Sequence, residues 1–562
     1  MTKAMHTHLV GARGGRRRRG VLWAWAGVFM WGCGVFSTTE WAPDCTEEGC
    51  LGAQALGLYL EAPQQALLGE FMWLCVGAAS DSNLRPSSIG LSAPKLWRGE
   101  EEAPLEWEGA EEGPWRVCKK ALLPLHLQAG EWSLEARVEA TDKAGVRRAA
   151  GESLKLRLTR IACSHEAVGV GGSIARQPLV VSNGRVVFAA GSGLYFFEVG
   201  PCSMEATSPI QTGATQGPMV ALGNSGKLAA VLGGRGQGQR LALVEGWGIV
   251  PGGPGEGCLQ GSNVNYERGL SLLSFPATSG SGTPWRLAAT ANGASDNQTR
   301  LVAYILEDEA SPRCVSSPEF PFPASIPTAQ KANAEVVSVH IFHLSEFYRA
   351  VRLWHFEGNA WTLTQTFLNS TPIGNPTSMA IAGENTVWLT DIFEASPVVV
   401  DSRGRAYFVG KNAGSRGYQL QRYAAEAELG YWGAQPEATS VELSTPPVGS
   451  PLLGEAMGEQ PEEVYVVTTG GKVLAYRAER LGEPLWTESL GFNILPEVQP
   501  VLVADTQGGG GTLWLIGAGG QIRGLRVGSA GLNRTAHWPK AFRDNCNTGS
   551  RQVNAGNMPG CY

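Results

Sequence analysis

A short sequence phrase recurs through residues 163–545. Each clear copy begins with proline, continues with a short apolar strand and a turn containing Gly or Asn, and ends with further apolar strands. Clear copies begin at Pro178, Pro218, Pro397, Pro451 and Pro500, and degenerate copies begin near Gly269 and Val336. Successive copies are about 40 to 65 residues apart, the period of a four-stranded structural unit. The pattern therefore predicts an array of similar small sheets.

A four-stranded sheet of this length cannot bury both faces alone. It must stack on like neighbours around an axis, and closure of the ring protects the sheet edges. We therefore predict a seven- or eight-bladed β-propeller over residues 163–545, in which Ser378–Asp391 supplies an irregular eighth unit. The 74 glycines, the 33 prolines and a charged fraction of 17% agree with an all-β fold, because they indicate many turns and few surface helices.

Two sequence patterns connect these repeats to a known family. Pro397 begins a run of the form P-h-h-h-D-x-x-G-x-h-Y, where h is apolar, and related elements lie at Val473–Tyr476 and Leu485–Trp486. At these residues the chain resembles the PQQ-like β-propeller repeat family. The run Trp538–Gly549 resembles the W-P-x-F-R-x-D-x-x-N-T-G phrase at the ends of many such exported bacterial proteins. Quinone dehydrogenases with this repeat also carry a vicinal disulfide, and no Cys-Cys dipeptide occurs in this sequence. We therefore predict no quinone. The sequence contains no HExxH, GxSxG or EF-hand motif, so we also predict no other cofactor and no catalytic residues.

Residues 53–160 do not contain this phrase. They contain four runs with the residue pattern of β-strands, at Leu56–Leu60, Glu70–Val76, Trp132–Ala140 and Ser153–Leu158. Alternation of apolar and polar residues in the third run is typical of a strand with one buried face. The turn after this run contains T-D-x-A-G and predicts a hairpin with the fourth run. At these residues the segment resembles a bacterial Ig-like or fibronectin-like module. That resemblance implies a two-sheet β-sandwich, in which a disulfide between Cys75 and Cys118 would bridge the sheets.

The N-terminus has the layout of a bacterial export signal. Residues 1–32 carry six basic side chains and no acidic one, and the apolar run Val21–Trp31 has eleven residues, too few to cross a bilayer as a helix. The dipeptide at 32–33 resembles the end of a lipobox, whose cysteine becomes acylated. We expect a signal peptide over 1–32, lipidation of Cys33, a tether over 33–52 and an outer-membrane location. The alternative is ordinary signal cleavage with Cys33 as an unrelated thiol.

Export also determines how the cysteines are interpreted, because disulfides persist in oxidising compartments. Apart from Cys33, ten cysteines remain. The simplest prediction pairs neighbours in sequence: Cys45 with Cys50, Cys75 with Cys118, Cys163 with Cys202, Cys258 with Cys314, and Cys546 with Cys561. The sequence contains no Cys-x-x-Cys, so we predict no zinc site.

Other candidate motifs are interpreted as structural. Gly223–Lys227 resembles part of a phosphate loop but lacks the Ser or Thr that follows the lysine, so it predicts a hairpin turn. His340 and His343 would face opposite sides of a strand, and together with His355 they are assigned to core or surface positions.

Acidic and aromatic candidates are interpreted in the same way. The acid pairs Glu462–Glu463 and Asp391 with Glu394 are predicted to be solvated. The strand aromatics are predicted to pack between blades: Tyr195, Phe196, Phe197, Trp388, Tyr407, Phe408, Tyr465 and Trp514.

These patterns predict an all-β exported protein with an Ig-like sandwich, a propeller and a C-terminal tail over 546–562. Loss of residues 1–32 removes six positive charges and takes the net charge from −6 to −12, so nucleic acid is not an expected partner. We expect a non-catalytic cell-envelope lipoprotein that binds a protein or a glycan of the envelope. The alternatives are a scaffold lipoprotein of outer-membrane assembly, and a propeller lyase, hydrolase or quinone-dependent dehydrogenase that uses the central channel.

Overall fold

The computed structural model describes residues 58–548 with gaps, together with Cys561 and Tyr562. The longest gaps cover 250–269, 274–285, 317–328 and 425–435. The described residues form 41 β-strands and contain no α-helix. They accordingly include no helix long and apolar enough to span a membrane. The all-β prediction is confirmed for this part of the chain.

Ten strands between residues 58 and 159 form two facing sheets. They are β1 (Leu58–Glu61), β2 (Gln65–Leu67), β3 (Phe71–Ala78), β4 (Gly90–Leu91), β5 (Lys95–Arg98), β6 (Glu101–Pro104), β7 (Trp107–Glu112), β8 (Arg116–Leu122), β9 (Gly130–Thr141) and β10 (Arg147–Thr159). One sheet has the order β1-β3-β8-β7, and the other has the order β2-β10-β9-β5-β6 with β4 beside β9. The β2–β10 pair is parallel, whereas the β9–β10 pair is antiparallel.

The hairpin of β9 and β10 forms where the sequence predicts it. Buried and exposed side chains alternate along β9, and its register with β10 runs without a shift. Asp142 organises the turn, because its Oδ1 accepts the Val146 N–H at 2.8 Å. Gly145 has a φ of 91°, a conformation that glycine adopts without a steric penalty.

Apolar side chains from both sheets form a common core. Leu74 on β3, Leu134 on β9 and Leu156 on β10 are almost fully buried in it. The Cys75–Cys118 disulfide does not cross this core, so the prediction that it bridges the two sheets is wrong. The two cysteines lie directly opposite each other on β3 and β8, which are neighbours in the same sheet. Because side chains alternate along a strand and Leu74 faces the core, Cys75 faces outward.

Residues 161–527 form eight small antiparallel sheets within the described residues. After β11 (Ile161–His165), the first four sheets contain β12 (Val180–Ser182), β13 (Arg185–Ala190), β14 (Gly193–Glu198), β15 (Ser203–Met204) and β16 (Ile210–Gln211); β17 (Val220–Ala221), β18 (Lys227–Leu232), β19 (Arg240–Glu245) and β20 (Gly248–Ile249); β21 (Leu270–Leu273), β22 (Arg286–Asn292), β23 (Thr299–Ile305) and β24 (Arg313–Ser316); and β25 (Ala329–Gln330), β26 (Val336–His343), β27 (Phe347–Glu357) and β28 (Ala360–Asn369).

The remaining four sheets follow in chain order. They contain β29 (Pro376–Ala382) and β30 (Thr386–Asp391); β31 (Val399–Val400), β32 (Ala406–Gly410), β33 (Gln419–Tyr423) and β34 (Ala438–Thr439); β35 (Leu452–Gly454), β36 (Glu463–Val467), β37 (Lys472–Arg477) and β38 (Trp486–Ser489); and β39 (Val501–Ala504), β40 (Gly511–Ile516) and β41 (Ile522–Val527). The two-stranded sheet of β29 and β30 coincides with the predicted irregular unit. Seven sheets have at least four strands, because β11 completes the last one in the order β11-β41-β40-β39.

The sheets follow one another in a way that is consistent with a β-propeller. The first strand of each sheet contacts the first strand of the next from β12 through β17, β21, β25 and β29 to β31. The pairing of β11 with β41 joins the beginning of this region to its end. Residues 161–548 are called the propeller region below.

The recurring phrase has a clear physical role at the turn between β31 and β32. Asp401 is fully buried, and its Oδ1 accepts the N–H groups of Arg403 and Arg405, each at 2.9 Å. Its Oδ2 accepts the Tyr407 hydroxyl at 3.1 Å and Nε of Arg405 at 2.6 Å. Gly404 has a φ of 83°. The aspartate and the glycine of the phrase therefore form the turn, and the tyrosine of the next strand donates a hydrogen bond to the aspartate.

Candidate functional site

The C-terminal segment, residues 529–548, runs along the innermost strands of the propeller region. Trp538 forms a two-way backbone pair with Val400 of β31, with N···O distances of 2.8 and 2.9 Å. The next residue, Pro539, accepts the N–H of Leu453 on β35 at 2.9 Å. The segment thus binds two successive sheets through main-chain atoms.

Asn545 joins two further sheets. Its carbonyl accepts the N–H of Val181 on β12 at 2.7 Å. Its side chain pairs with the main chain of Leu502 on β39, accepting the N–H at 3.3 Å and donating to the carbonyl at 2.7 Å. Asn545 is fully buried. One residue therefore connects the first blade of the region to the last.

The segment reaches a fifth sheet through Cys546 and Asn547. The Cys546 carbonyl accepts the N–H of Ala221 on β17 at 3.0 Å. Nδ2 of Asn547 donates to the carbonyls of Leu179 and Met219, which directly precede β12 and β17, at 3.1 Å each. Backbone groups on an innermost strand need partners when they are buried. At five sheets the C-terminal segment supplies them, so the chain itself occupies the axis there.

A buried carboxylate stabilises the last turn of the segment. Asp544 is fully buried, and its Oδ1 accepts the N–H groups of Cys546 at 3.0 Å and Thr548 at 3.1 Å. Its Oδ2 accepts the Thr548 hydroxyl and lies 3.5 Å from Nη1 of Arg543. Burial raises the pKa of Asp544. These contacts make the carboxyl group part of the turn.

A lysine lies in the same buried cluster. Lys540 is fully buried, and its Nζ donates to the Asp544 main-chain carbonyl at 3.1 Å and to Oδ1 of Asn547 at 2.9 Å. Burial lowers the pKa of Lys540 to about 7, against a weaker opposing effect of the Asp544 charge. The desolvated amine is the most strongly perturbed basic group of the segment.

The end of the chain is fastened to this cluster. Cys546 forms a disulfide with Cys561, and the Cys561 carbonyl accepts the Asn545 N–H at 3.0 Å. Tyr562 is buried and accepts a hydrogen bond from Arg543. Residues 561–562, assigned from sequence to a tail, therefore pack into the propeller region.

The same residues contain a geometric candidate for a metal site. Ligand atoms of Asp544, Cys546 and Cys561 lie within 4.8 Å of one another. Both sulfur atoms are joined in the disulfide, and thiolates are the form that binds metal. Asp544 already accepts several hydrogen bonds, so the arrangement does not fit a metal ion.

Arg160 connects the sandwich to the propeller region. Its Nη2 donates to the carbonyls of Leu125 and, at 2.7 Å, Leu127, and its Nη1 donates to the Arg526 carbonyl at 3.3 Å. The guanidinium carbon lies 4.0 Å from the ring centre of Trp486, a cation–π contact. Burial lowers the pKa of Arg160 to about 10, so the group stays charged at neutral pH.

Side-chain contacts around Arg160 strengthen this junction. Gln128 donates to the Leu485 carbonyl at 2.9 Å. Glu70 lies 3.5 Å from a guanidinium nitrogen of Arg526. The sandwich is thus held against the propeller region by buried and half-buried polar contacts.

The acid pair Glu462–Glu463, which the sequence predicts to be solvated, lies near this junction. Glu463 is 5% exposed and lies at the start of β36, so its assignment to a solvated turn is wrong. It accepts a hydrogen bond from Tyr465, whose hydroxyl also contacts Ser529 at 2.8 Å. Glu462 accepts a hydrogen bond from Asn533 of the C-terminal segment. Burial is the main cause that raises the pKa of both glutamates.

The structure pairs six of the predicted cysteines as neighbours. Disulfides join Cys75 to Cys118, Cys163 to Cys202, and Cys546 to Cys561. The other cysteine predictions, Cys33, Cys45, Cys50 and Cys258, lie outside the described residues, and Cys314 lies on β24.

The structure places most of the remaining candidates on strands. Seven of the eight strand aromatics singled out from the sequence have side chains that the structure describes, and all seven are buried: Tyr195, Phe196, Phe197, Tyr407, Phe408, Tyr465 and Trp514. Trp388 lies on β30, His340 and His343 on β26, and His355 on β27. Residues 223–226 of the motif that resembles a phosphate loop lie outside the described residues, and Lys227 begins β18. Glu394 lies outside the described residues.

Sequence reasoning did not predict the buried cluster of the C-terminal segment. The sequence feature that indicates this cluster is the Trp538–Gly549 phrase, which contains Asp, Asn and Thr side chains. Side chains of these types bind neighbouring main-chain groups, and here they bind several sheets at once.

Comparison with known proteins gives distant structural matches. No protein-family model and no curated protein matches the sequence. Solved structures that match include the Dos1 propeller, at 11% identity and a TM-score of 0.33 over 72% of this chain and 90% of that chain. The WD40 domain of SCAP from fission yeast matches at 11% identity and 0.32, over 66% and 93%. The quinohemoprotein alcohol dehydrogenase from Comamonas testosteroni matches at 13% identity and 0.32, over 79% and 77%.

Proposed function

We propose that this protein is a non-catalytic, lipid-anchored protein of the bacterial cell envelope. It is acylated at Cys33, lies at the outer membrane, and presents its propeller and its sandwich as binding surfaces for an envelope protein or a glycan. No nucleic acid is among its partners, because the mature chain has a net charge of −12 after loss of the six basic residues of 1–32 and lacks the basic footprint that such binding needs.

The observation that carries this proposal is the position of the C-terminal segment. Pockets that bind small molecules are concave and have room for the ligand. Along five innermost strands the axial position is taken by the protein's own main chain, through contacts such as Trp538 with Val400 and Asn545 with Leu502. This favours binding at outer surfaces over chemistry in the channel.

A second support is the fixed position of the sandwich. Arg160 and Gln128 donate across the junction to main-chain carbonyls. Contacts that hold two binding surfaces in place reduce the entropy lost when a partner binds both. This suits a protein whose role is to display surfaces.

We further propose that the sandwich is Ig-like and that the propeller consists of PQQ-like repeats. The sheet orders β1-β3-β8-β7 and β10-β9-β5-β6 correspond to the A-B-E-D and G-F-C-C′ orders of Ig sandwiches. The disulfide departs from the Ig pattern, because it lies within one sheet. The buried Asp401 supports the repeat assignment, since the phrase requires an aspartate at that turn.

The anchor is tested by comparing wild-type protein with Cys33→Ser in cell fractionation and intact-mass spectrometry. Wild type is expected in the membrane fraction with an acylated N-terminus at residue 33, and the variant is expected to lose both properties. Thr38→Ala, five residues further on, is the matched control and should behave as wild type. An unacylated wild-type product cut elsewhere would overturn the anchor.

Binding and catalysis are separated with purified mature protein and arrays of envelope glycans and envelope proteins. The proposal expects saturable retention of a ligand whose mass is unchanged after prolonged incubation. Time-dependent conversion of the ligand would overturn the non-catalytic role and favour the enzyme alternative. Absence of saturable retention on both arrays would overturn the binding role.

A further inference from the structure

Lys540 and Asn547 lie side by side in the C-terminal segment as an amine and a carboxamide. Nζ of Lys540 donates to Oδ1 of Asn547 at 2.9 Å and to the Asp544 carbonyl at 3.1 Å. All three residues are 0% exposed. The carboxamide is held in one orientation, because its Nδ2 donates to the carbonyls of Leu179 and Met219. The two side chains are therefore fixed in contact and shielded from water.

The surroundings of Lys540 favour the neutral amine. Within the described residues, Nζ has two hydrogen-bond acceptors, matching the two N–H groups of an uncharged amine, and no carboxylate ion pair. Burial agrees with this, since it lowers the pKa of Lys540 to about 7. A neutral amine carries a lone pair and is a nucleophile, and desolvation is one way in which proteins activate lysine.

The electrophilic carbon is close to this amine. Cγ of Asn547 is bonded to the Oδ1 atom that lies 2.9 Å from Nζ, so Nζ and Cγ are separated by no more than about 4.1 Å. Reaction requires an approach to about 3–3.5 Å. A small rotation of the lysine side chain covers the difference. Holding the amine next to the carboxamide accelerates the reaction as strongly as a very high concentration of free amine would.

We propose that Lys540 and Asn547 form an intramolecular isopeptide bond once the C-terminal segment is seated. Nζ attacks Cγ, the new Cγ–Nζ amide bond forms, and the Cγ–Nδ2 bond breaks. One proton passes from Nζ to the departing nitrogen, which leaves as ammonia. Asp544 positions the amine by accepting a hydrogen bond from Nζ with its main-chain carbonyl. Its carboxyl charge raises the pKa of Lys540, but this effect is weaker than the lowering by burial. The step needs no oxidant, metal or co-reactant.

The bond would fasten the segment beside its disulfide. It closes a loop from residue 540 to 547, and the Cys546–Cys561 disulfide closes a second loop that shares residues 546 and 547 with the first. The two overlapping covalent loops would keep the segment beside the innermost strands. The inference concerns the chemistry of the segment and does not depend on the anchor or on the partner of the protein.

The test is the intact mass of natively folded, purified mature protein after denaturation and full reduction. The expected mass is about 17 Da below that calculated for the mature chain with its N-terminal modification, because one ammonia is lost. Trypsin should then yield a branched peptide that joins residues 535–543 to residues 544–551 and retains the uncleaved Lys540. A protein with the full sequence mass and separate peptides would overturn the proposal. An equal loss mapped to another asparagine would also overturn it.

Variants give a second readout. Lys540→Met should keep the full sequence mass and lose the branched peptide, whereas Lys472→Met, which replaces an exposed lysine of β37, should retain both wild-type features. If Lys540→Met fails to fold, the wild-type measurement still decides the question. A mass loss of about 17 Da that persists in folded Lys540→Met would show that another reaction causes it.

Discussion

Glu463 is an acidic side chain in the interior of the propeller region. It is 5% exposed and accepts a hydrogen bond from Tyr465, whose hydroxyl also contacts Ser529 at 2.8 Å. Ser529 lies 66 residues further along the chain, so the local sequence around Glu463 carries no information about these contacts.

The buried state of Glu463 leads to a pH prediction. Its folded pKa is raised above the usual 4.5, mainly by burial, so the folded state holds this proton more tightly than the unfolded state. The stabilising contribution is complete below pH 4.5 and is lost as the pH rises through the folded pKa. Glu463→Gln keeps an acceptor for Tyr465 but cannot titrate. We therefore expect its stability to fall less between pH 4.5 and 7 than that of wild type.

Denaturant midpoints at several pH values measure this difference. The effect of one group is at most about tenfold in the unfolding constant per pH unit. Glu131→Gln, at an exposed site on β9, is the control and should follow the wild-type curve. Identical pH profiles for Glu463→Gln and wild type would contradict the burial of this carboxyl group.

At the scale of elements, repetition made the fold predictable. The proline-initiated phrases coincide with strand–turn–strand units, and the irregular unit near Ser378 coincides with β29 and β30. The Cys75–Cys118 pair was predicted, but its position between sheets was wrong. The pairing of β3 with β8 was not predicted, because an irregular stretch of sequence separates the two strands. The C-terminal segment was also missed, because its contacts involve five distant sheets.

The contacts of that segment predict the effect of a single substitution. Asn545→Leu preserves size but removes both side-chain bonds to Leu502, leaving its buried N–H and carbonyl without these partners. Each unsatisfied group costs about 1–3 kcal/mol, so we expect a loss of about 2–6 kcal/mol in chemical denaturation. Asn493→Leu, at an exposed position, should cost far less. Equal losses in the two variants would show that Asn545 does not hold the sheets together.

At the scale of the whole molecule, both ends of the propeller region close it. β11 completes the last sheet from the N-terminal side, and the C-terminal segment binds innermost strands from the other end. Arg160, directly before β11, donates to the Arg526 carbonyl and joins the sandwich to this region. The binding surfaces that we propose depend on this closed arrangement.

Hydrogen–deuterium exchange of the full mature chain tests the central claim, that the C-terminal segment fills the axis. We expect slow exchange for peptides covering residues 532–548 and for the innermost strands β12, β17, β31, β35 and β39, because N–H groups of these strands donate to oxygens of the segment, and N–H groups of the segment donate to strand carbonyls. Rapid exchange of residues 532–548, at the rate of exposed loops, would show that the segment does not fill the axis.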